Sequence, residues 1–281
     1  MKKRNFPPLA QIICYKLEAK NIKPNHYNHL LMHVPKSHPR YESLMKREKI
    51  IKGMREGIVA EAGLIAHGRG EAFDYLIGEK TLPEADLAEK IAAYHLILAK
   101  RPLISVNGNI AVLVPDDIVR LSELLPAKIE INLFYRSEER VKKIADLLRK
   151  LGAKKVLGEK PDANIPGLEH SRALCTNEGM MMADVVLIPL EDGDRAKALK
   201  NMGKITIAID LNPLSRTSKE SHVTIVDDVV RALPRIIDHV REARKKELSR
   251  KSMVKEIEEF DNLGNLSKIL EKMQKDAISR F

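Results

Sequence analysis

The chain has no tryptophan, and aromatic residues make up only 4% of its 281 positions. Cysteine is scarcer still. Cys14 and Cys175 are too few for a disulfide-stapled secreted scaffold, and no paired Cys/His spacing suggests structural zinc. No apolar run reaches the ~18 residues of a membrane span. The common phosphate motifs are missing too: Gly78-Glu79-Lys80-Thr81 lacks the adjacent Gly-Lys of a P-loop. No G-x-G-x-x-G follows a first strand, which disfavours a dinucleotide dehydrogenase. No serine occupies a G-x-S-x-G elbow, and Cys175, with no base beside it in sequence, reads as a reduced structural thiol.

Positive charge is abundant: 49 Lys+Arg against 39 Asp+Glu give +10. Such an excess invites a nucleic-acid reading, but it sits at the ends. Residues 1–40 hold eight basic residues and one acid, residues 241–281 hold eleven and eight, and residues 41–240 hold 30 of each sign. A neutral body argues against a phosphate-facing surface, so nucleic acid is not expected as a partner. A basic nucleic-acid-associated or scaffold protein with a Rossmann-like body remains the alternative. Residues 1–32, whose apolar run is broken by Gln11 and followed by no cleavage signal, read as an extension, either disordered or upstream of the true start.

Apolar spacing predicts a helix over 37–56 closed by Gly57, then a small glycine-rich turn over 60–70 ending in His67-Gly68-Arg69-Gly70. The backbone amides of that turn could approach an anion closely. Further helices are expected over 71–77 and 83–99. From residue 102 strands alternate with helices. Strands are expected over 103–106, 128–134, 154–157, 184–189, 205–210 and 223–226, with helices over 115–125, 137–151, 195–202 and 228–246. Residues 252–279 read as two short helices with an apolar face, suited equally to a domain edge and to a dimer. The expected fold is α/β and Rossmann-like: three layers around a mostly parallel sheet of about six strands. Residues 33–281 would form one domain with a helical N-terminal part (33–100) and C-terminal helices (252–279).

Ligands of open parallel sheets bind beyond the carboxyl ends of the strands. Those ends carry Asn107 and Asn109; Tyr135 and Arg136; Glu191, Asp192 and Asp194 with Arg195; Asp210 and Asn212 with Arg216; and Asp227 and Asp228. Arg69, Arg136, Arg195 and Arg216 suit phosphate oxygens, which the guanidinium fork binds bidentately. Asp192, Asp194 and Asp210 suit hydroxyls or Mg²⁺. Together they read as a nucleotide–magnesium site, with no metal ligand assignable individually. His170 is a loop histidine able to act as a general base.

Several runs carry a resemblance. They are Pro35-Lys36-Ser37-His38-Pro39-Arg40-Tyr41, the stretch from Ala62 to Leu76 around His67-Gly68-Arg69-Gly70, Val106-Asn107-Gly108-Asn109 and Glu130-Ile131-Asn132-Leu133-Phe134-Tyr135-Arg136. Pro166-Gly167-Leu168-Glu169-His170, Leu190-Glu191-Asp192-Gly193-Asp194-Arg195 and Ile209-Asp210-Leu211-Asn212-Pro213-Leu214-Ser215-Arg216 continue the set. From about residue 33 to the region of Asn265 the chain resembles the archaeal phosphopantothenate synthetases, or 4-phosphopantoate–β-alanine ligases. The resemblance implies a cytoplasmic, homodimeric enzyme of coenzyme A biosynthesis that joins 4-phosphopantoate to β-alanine while ATP, with Mg²⁺, is split to AMP and pyrophosphate.

Carried over by position, the resemblance places ATP contacts at Arg47, Arg69, Asp210-Leu211-Asn212, Arg216-Thr217 and Asp228-Val229. Ser215-Arg216-Thr217 and Asp227-Asp228 depart from the expected Ser-Arg-Ser and Asp-Asn. The implied chemistry is carboxylate activation through an acyl-adenylate, with Arg47, Arg69 and Arg216 stabilising charge on phosphate oxygens. Arg69, Asp192, Asp194 and His170 are the expected catalytic residues, and Asp192, Asp194, Glu130 and His170 are the candidates to deprotonate β-alanine. His67, Asn107, Asn109, Glu130 and Arg136 are the expected substrate contacts, Arg136 for the substrate's own phosphate or carboxylate.

Overall fold

A computed structural model describes residues 34–279. The chain divides into two compact units, Met1–Met45 and Lys46–Phe281. In the first, the His38 amide donates to Pro35 O at 2.9 Å and helix α1 (Tyr41–Arg55) begins just beyond. The expected extension over 1–32 lies outside the described residues. The second unit carries the whole sheet.

Six strands form that sheet: β1 (Pro102–Val106), β2 (Lys128–Ile131), β3 (Val156–Leu157), β6 (Val185–Pro189), β7 (Ile205–Ile209) and β8 (Val223–Ile225). All pair in parallel, in the order β3-β2-β1-β6-β7-β8. Both faces are covered, so the strands are apolar along nearly their whole length. Alternation still assigns each side chain to a face. Ile104, Val106, Leu187 and Ile209 share one core with helices α3 (Pro83–Leu98), α5 (Pro115–Leu124), α6 (Glu138–Lys150) and α9 (Val229–Lys245). Leu103, Val186, Ile188 and Ala208 pack instead on helix α7 (Gly193–Asn201) and on Ile165, Cys175 and Met180. The Rossmann-like three-layer reading therefore holds, with a further two-stranded antiparallel pair, β4 (Ala163–Asn164) and β5 (Leu174–Cys175).

Residues 158–184 leave the sheet between β3 and β6, and β2 ties them down. Glu130, fully buried, accepts from the Thr176 amide at 3.0 Å, Thr176 Oγ1 at 2.9 Å and the Met180 amide at 2.8 Å. Asn132 Nδ2 donates to Arg172 O and Leu174 O at 3.2 and 3.0 Å. Gly179 is required there, because a Cβ would lie 1.9 Å from Glu130 Oε2.

The expected turn over 60–70 is instead the first two-thirds of one helix, α2 (Glu61–Leu76). Glycine costs a helix roughly 1 kcal/mol against alanine, yet tertiary contacts compensate: a Cβ on Gly63 would meet Asn109 Oδ1 at 2.4 Å. The backbone amides of 67–70 are consequently engaged within the helix, which removes them as anion donors. The C-terminal pair is α10 (Arg250–Glu259) and α11 (Asn262–Ser279). Helix α11 buries Leu266, Ile269 and Met273 against Ile77, Leu82 and Val226 of the same chain, so the domain-edge reading applies to it. Among the described residues no helix is long and apolar enough to cross a membrane.

Candidate active site

Sheet order reverses between β1 and β6, and the crevice outside their carboxyl ends is where such sheets bind ligands. A cavity of about 580 Å³ opens there. Asn107 spans the reversal. Its Nδ2 donates to Pro189 O and Leu190 O at 3.0 and 3.1 Å, and its Oδ1 accepts from the Ile110 amide, capping short helix α4 (Gly108–Leu113). Leu190 is held at φ 50°, a conformation uncommon outside glycine and frequent at functional loops. Gly108 lets Ile58 O approach within 2.6 Å of where its Cβ would be.

Loops after β6 and β7 form the next part of the wall. A Cβ on Gly193 would stand 2.3 Å from Arg216 Cβ, and Thr217 Oγ1 donates to Glu191 O at 2.7 Å. Asp210 accepts from the Asn212 amide at 2.9 Å and from Ser215 Oγ at 2.5 Å, while Ser215 caps helix α8 (Arg216–Glu220). Burial raises the Asp210 carboxyl above its ordinary value, against these bonds and the nearby Arg69 charge. The loop is thus tied together by its own side chains.

Helix α2 closes one side and has three distinct faces at its 3.6-residue period. Ala62, Ala66, Arg69, Gly70 and Phe73 line the cavity. His67, Glu71 and Asp74 point to a polar network: Arg47 pairs with Glu71 at 2.8 Å, and buried Asp74 meets Lys46 at 3.4 Å and also Arg231. Ile65, Tyr75 and Leu76 face solvent, 68%, 48% and 40% exposed. Arg69 is exposed and has no hydrogen bond or ion pair among the described residues.

The expected residues therefore separate into groups. Arg69, Asn107, Asn109, Asp192, Asp210, Leu211, Asn212, Arg216 and Thr217 line the cavity together. Arg47, His67, Asp228 and Val229 do not line it. Arg47 belongs to the network on the second face of α2, and Asp228 caps α9 and pairs with Lys46. His67 Nε2 is buried without a partner, and burial lowers its pKa against the pull of Asp228 and Glu71. Arg136 donates to Gly158 O at 2.5 Å and to Glu159 O at 3.3 Å, outside the cavity lining. Glu130 is buried with both oxygens bonded, as above, and is likewise outside the lining. His170 Nδ1 accepts from the Arg172 amide, and its ring lies 5.3 Å from that of Phe134. Asp194 pairs with Arg216.

Arg195, expected among the phosphate-binding arginines, is wholly buried. Its Nη1 donates to Ser105 Oγ at 3.0 Å and it pairs with Glu191, so no phosphate reaches it. Glu191 also pairs with Arg172 at 2.5 Å. Burial alone would raise the Glu191 carboxyl, but the two guanidiniums outweigh it and hold it below the ordinary value. Sequence reasoning passed over Arg172 and Arg140, both in the cavity wall. Neither follows a strand directly, and each reaches the wall only through tertiary contacts.

A six-stranded parallel sheet in this order, with an arginine-bearing cavity at the reversal, defines a Rossmann-like α/β protein whose candidate ligand site sits at the switch point. The profile of the phosphopantothenate/pantothenate synthetase family matches residues 84–276, and the chain belongs to that family. A 4-phosphopantoate–β-alanine ligase of Thermococcus kodakarensis is 54% identical over 241 residues, covering 85% of this chain and 92% of the relative. One of Methanosarcina mazei is 48% identical over 241 residues, with 86% and 94% covered. One of Methanospirillum hungatei is 55% identical over 203 residues, with 72% and 83% covered.

Proposed function

We propose that this chain is a 4-phosphopantoate–β-alanine ligase of coenzyme A biosynthesis, acting in the cytoplasm and using ATP. The observation that carries the reading is the switch-point cavity, where loop 210–217, Asp192 and unpaired Arg69 converge, together with 54% identity to a relative of that name over 85% of the chain.

In the proposed reaction the substrate carboxylate attacks the α-phosphorus of ATP, an acyl–phosphate bond forms and pyrophosphate leaves. The β-alanine amine then attacks the acyl carbon, and the C–O bond to AMP breaks. Loop 210–217 receives the nucleotide, and Arg69 with Arg216 faces its phosphates, where fixed cations stabilise developing charge. The amine must lose a proton before attack. Asp192, 45% exposed at the cavity wall, is the carboxylate placed to take it, whereas Glu130 is sealed in the core.

Mg²⁺ fits this donor set in its usual manner, with one or two carboxylates and the remaining positions filled by phosphate oxygens and water. Asp210 is the cavity carboxylate that would hold it, Asp192 being the proposed base and Glu191 being engaged by Arg172 and Arg195, and the ion would supply charge neutralisation of the phosphates.

The reading includes a homodimer, supported by the exposed apolar face of α2. The direct test is AMP release from ATP and 4-phosphopantoate, with β-alanine omitted and then restored. Stoichiometric AMP only with all three substrates is expected, and ADP formation or no turnover would refute the ligase reading.

A further inference from the structure

Asp192, the carboxylate assigned above to the amine proton, occupies the N-cap position of α7, yet its side chain makes no capping bond to the helix amides. Aspartate in that position ordinarily accepts from one of them. Here the residue is held differently at both ends. Its amide donates to Glu191 Oε1 at 2.9 Å, and its Oδ2 lies 3.6 Å from Arg172 Nε in an ion pair. That contact engages one carboxylate oxygen, and the side chain remains half-exposed at the cavity wall.

Glu191 stands behind both restraints. Its side chain is only 2% exposed; it accepts the Asp192 amide, pairs with Arg172 at 2.5 Å and pairs also with Arg195. Arg195 reaches Ser105 Oγ on β1 at 3.0 Å, which anchors the cluster to the middle of the sheet. Backbone contacts fix the same residues: Thr217 Oγ1 donates to Glu191 O at 2.7 Å, and Asn132 Nδ2 to Arg172 O at 3.2 Å. A buried anion between two guanidiniums is costly to desolvate, and apolar side chains of like volume often serve stability as well. Against the upward push of burial, the guanidiniums hold the Glu191 carboxyl below its ordinary value. It therefore stays charged, and so enclosed a group does not take the amine proton itself.

Resting on the ligase reading, with Asp192 as its base, we infer that Glu191 is a positioning residue for the amide-forming step. It holds Arg172 and the Asp192 backbone so that the Asp192 carboxylate stays off the helix end and at the cavity wall. In that step one proton of the β-alanine ammonium passes to Asp192. The freed nitrogen pair forms the C–N bond, the C–O bond to AMP breaks, and a second N–H proton is shed to water as the adduct collapses. Activation of the acid by ATP needs no such transfer, because the attacking carboxylate is already an anion. Loss of Glu191 should therefore separate the two halves of the reaction.

The test compares three rates in the wild type, Glu191→Gln, Arg172→Lys and Asp192→Asn. They are exchange of labelled pyrophosphate into ATP with 4-phosphopantoate alone, AMP release with β-alanine, and AMP release with hydroxylamine in its place. Hydroxylamine is mostly unprotonated near neutral pH and needs no base. Arg172→Lys keeps a cation beside Glu191 while losing the Nε that faces Asp192, so it decides the matter if a thermal melt shows Glu191→Gln unfolded. Each variant should lose about 10- to 100-fold in AMP release with β-alanine, the usual effect of a misplaced general base. That deficit should shrink as pH rises and free amine accumulates, while exchange and the hydroxylamine rate stay near those of the wild type. Equal falls in all three rates, or unchanged rates in both Glu191→Gln and Arg172→Lys, overturn the assignment. A fall in Glu191→Gln with none in Asp192→Asn overturns it as well, since Glu191 would not act through Asp192. A wild type with neither exchange nor AMP release refutes the ligase reading itself, a different outcome from an active wild type whose variants lose every rate alike.

Discussion

Arg69 and Glu89 show how differently a charge behaves when free and when enclosed. Arg69 projects from α2 at the cavity wall with no partner to lose, so Arg69→Ala should leave stability within about 0.5 kcal/mol. AMP formation should fall by roughly 100- to 1,000-fold, the usual cost of removing one preorganised donor to a developing anion. A thermal melt and an AMP assay check both halves, and normal turnover would remove Arg69 from the chemistry. Glu89 is the opposite case, lying buried between α3 and α9 with Arg235 bonded at 2.9 Å. Burial, reinforced by the Asp227 charge and opposed by Arg235, raises its carboxyl from 4.5 to about 8. The folded state then holds a proton that the unfolded state has released across that interval. Stability should accordingly fall as pH rises from about 4.5 to about 8 and level off above it. Glu89→Gln should flatten this decline, read as Tm against pH from 5 to 9. An equal slope in the variant would assign it to other buried acids such as Asp227.

At the scale of elements, α2 is the instructive case because its glycines do different things. Gly63 faces Asn109, and an added Cβ would meet Oδ1 at 2.4 Å and Val59 Cγ1 at 2.8 Å. Gly68 faces open space. Gly63→Ala should therefore destabilise by about 1–3 kcal/mol through overpacking, whereas Gly68→Ala should stabilise by up to about 1 kcal/mol through helix propensity. Denaturant midpoints of the two variants check the contrast. The same glycines hid the helix in the sequence: three of them within eight residues read as a turn, since propensity is local and the contacts that overrule it are not. Strands, by contrast, were legible, because short apolar runs between turn residues have few other uses in an alternating pattern. Cavity residues within three positions of a strand's end, such as Asn107, Asp192 and Asp210, were legible by the same rule. Arg140 and Arg172 were not, because one sits inside an ordinary amphipathic helix and the other in a segment ordered by Glu130 of β2 and by Asn132 just beyond it. Arg195 misled for the converse reason: position after a strand says nothing about which way a side chain turns.

For the whole molecule, the charge excess and the exposed face of α2 concern different partners. The +7 of residues 1–40 lies mostly in residues that the structure does not describe. Helix α2 contributes at once to the cavity, through Arg69 and Phe73, and to an apolar solvent face, through Ile65, Tyr75 and Leu76. Exposed apolar stripes of this kind are costly on an isolated chain and mark association surfaces. If a second copy covers the stripe in the proposed homodimer, its interface must exceed roughly 1,000 Å² to be stable, and it rests on the helix that shapes the site. Ile65→Glu combined with Leu76→Glu should then yield monomers in sedimentation velocity at concentrations where the parent chain is dimeric. Activity should fall with dissociation and recover as protein concentration is raised, since a buried carboxylate pair opposes association without touching the cavity face. A parent chain that sediments as a monomer throughout, or a double variant that remains a dimer, would show that this face does not join the subunits.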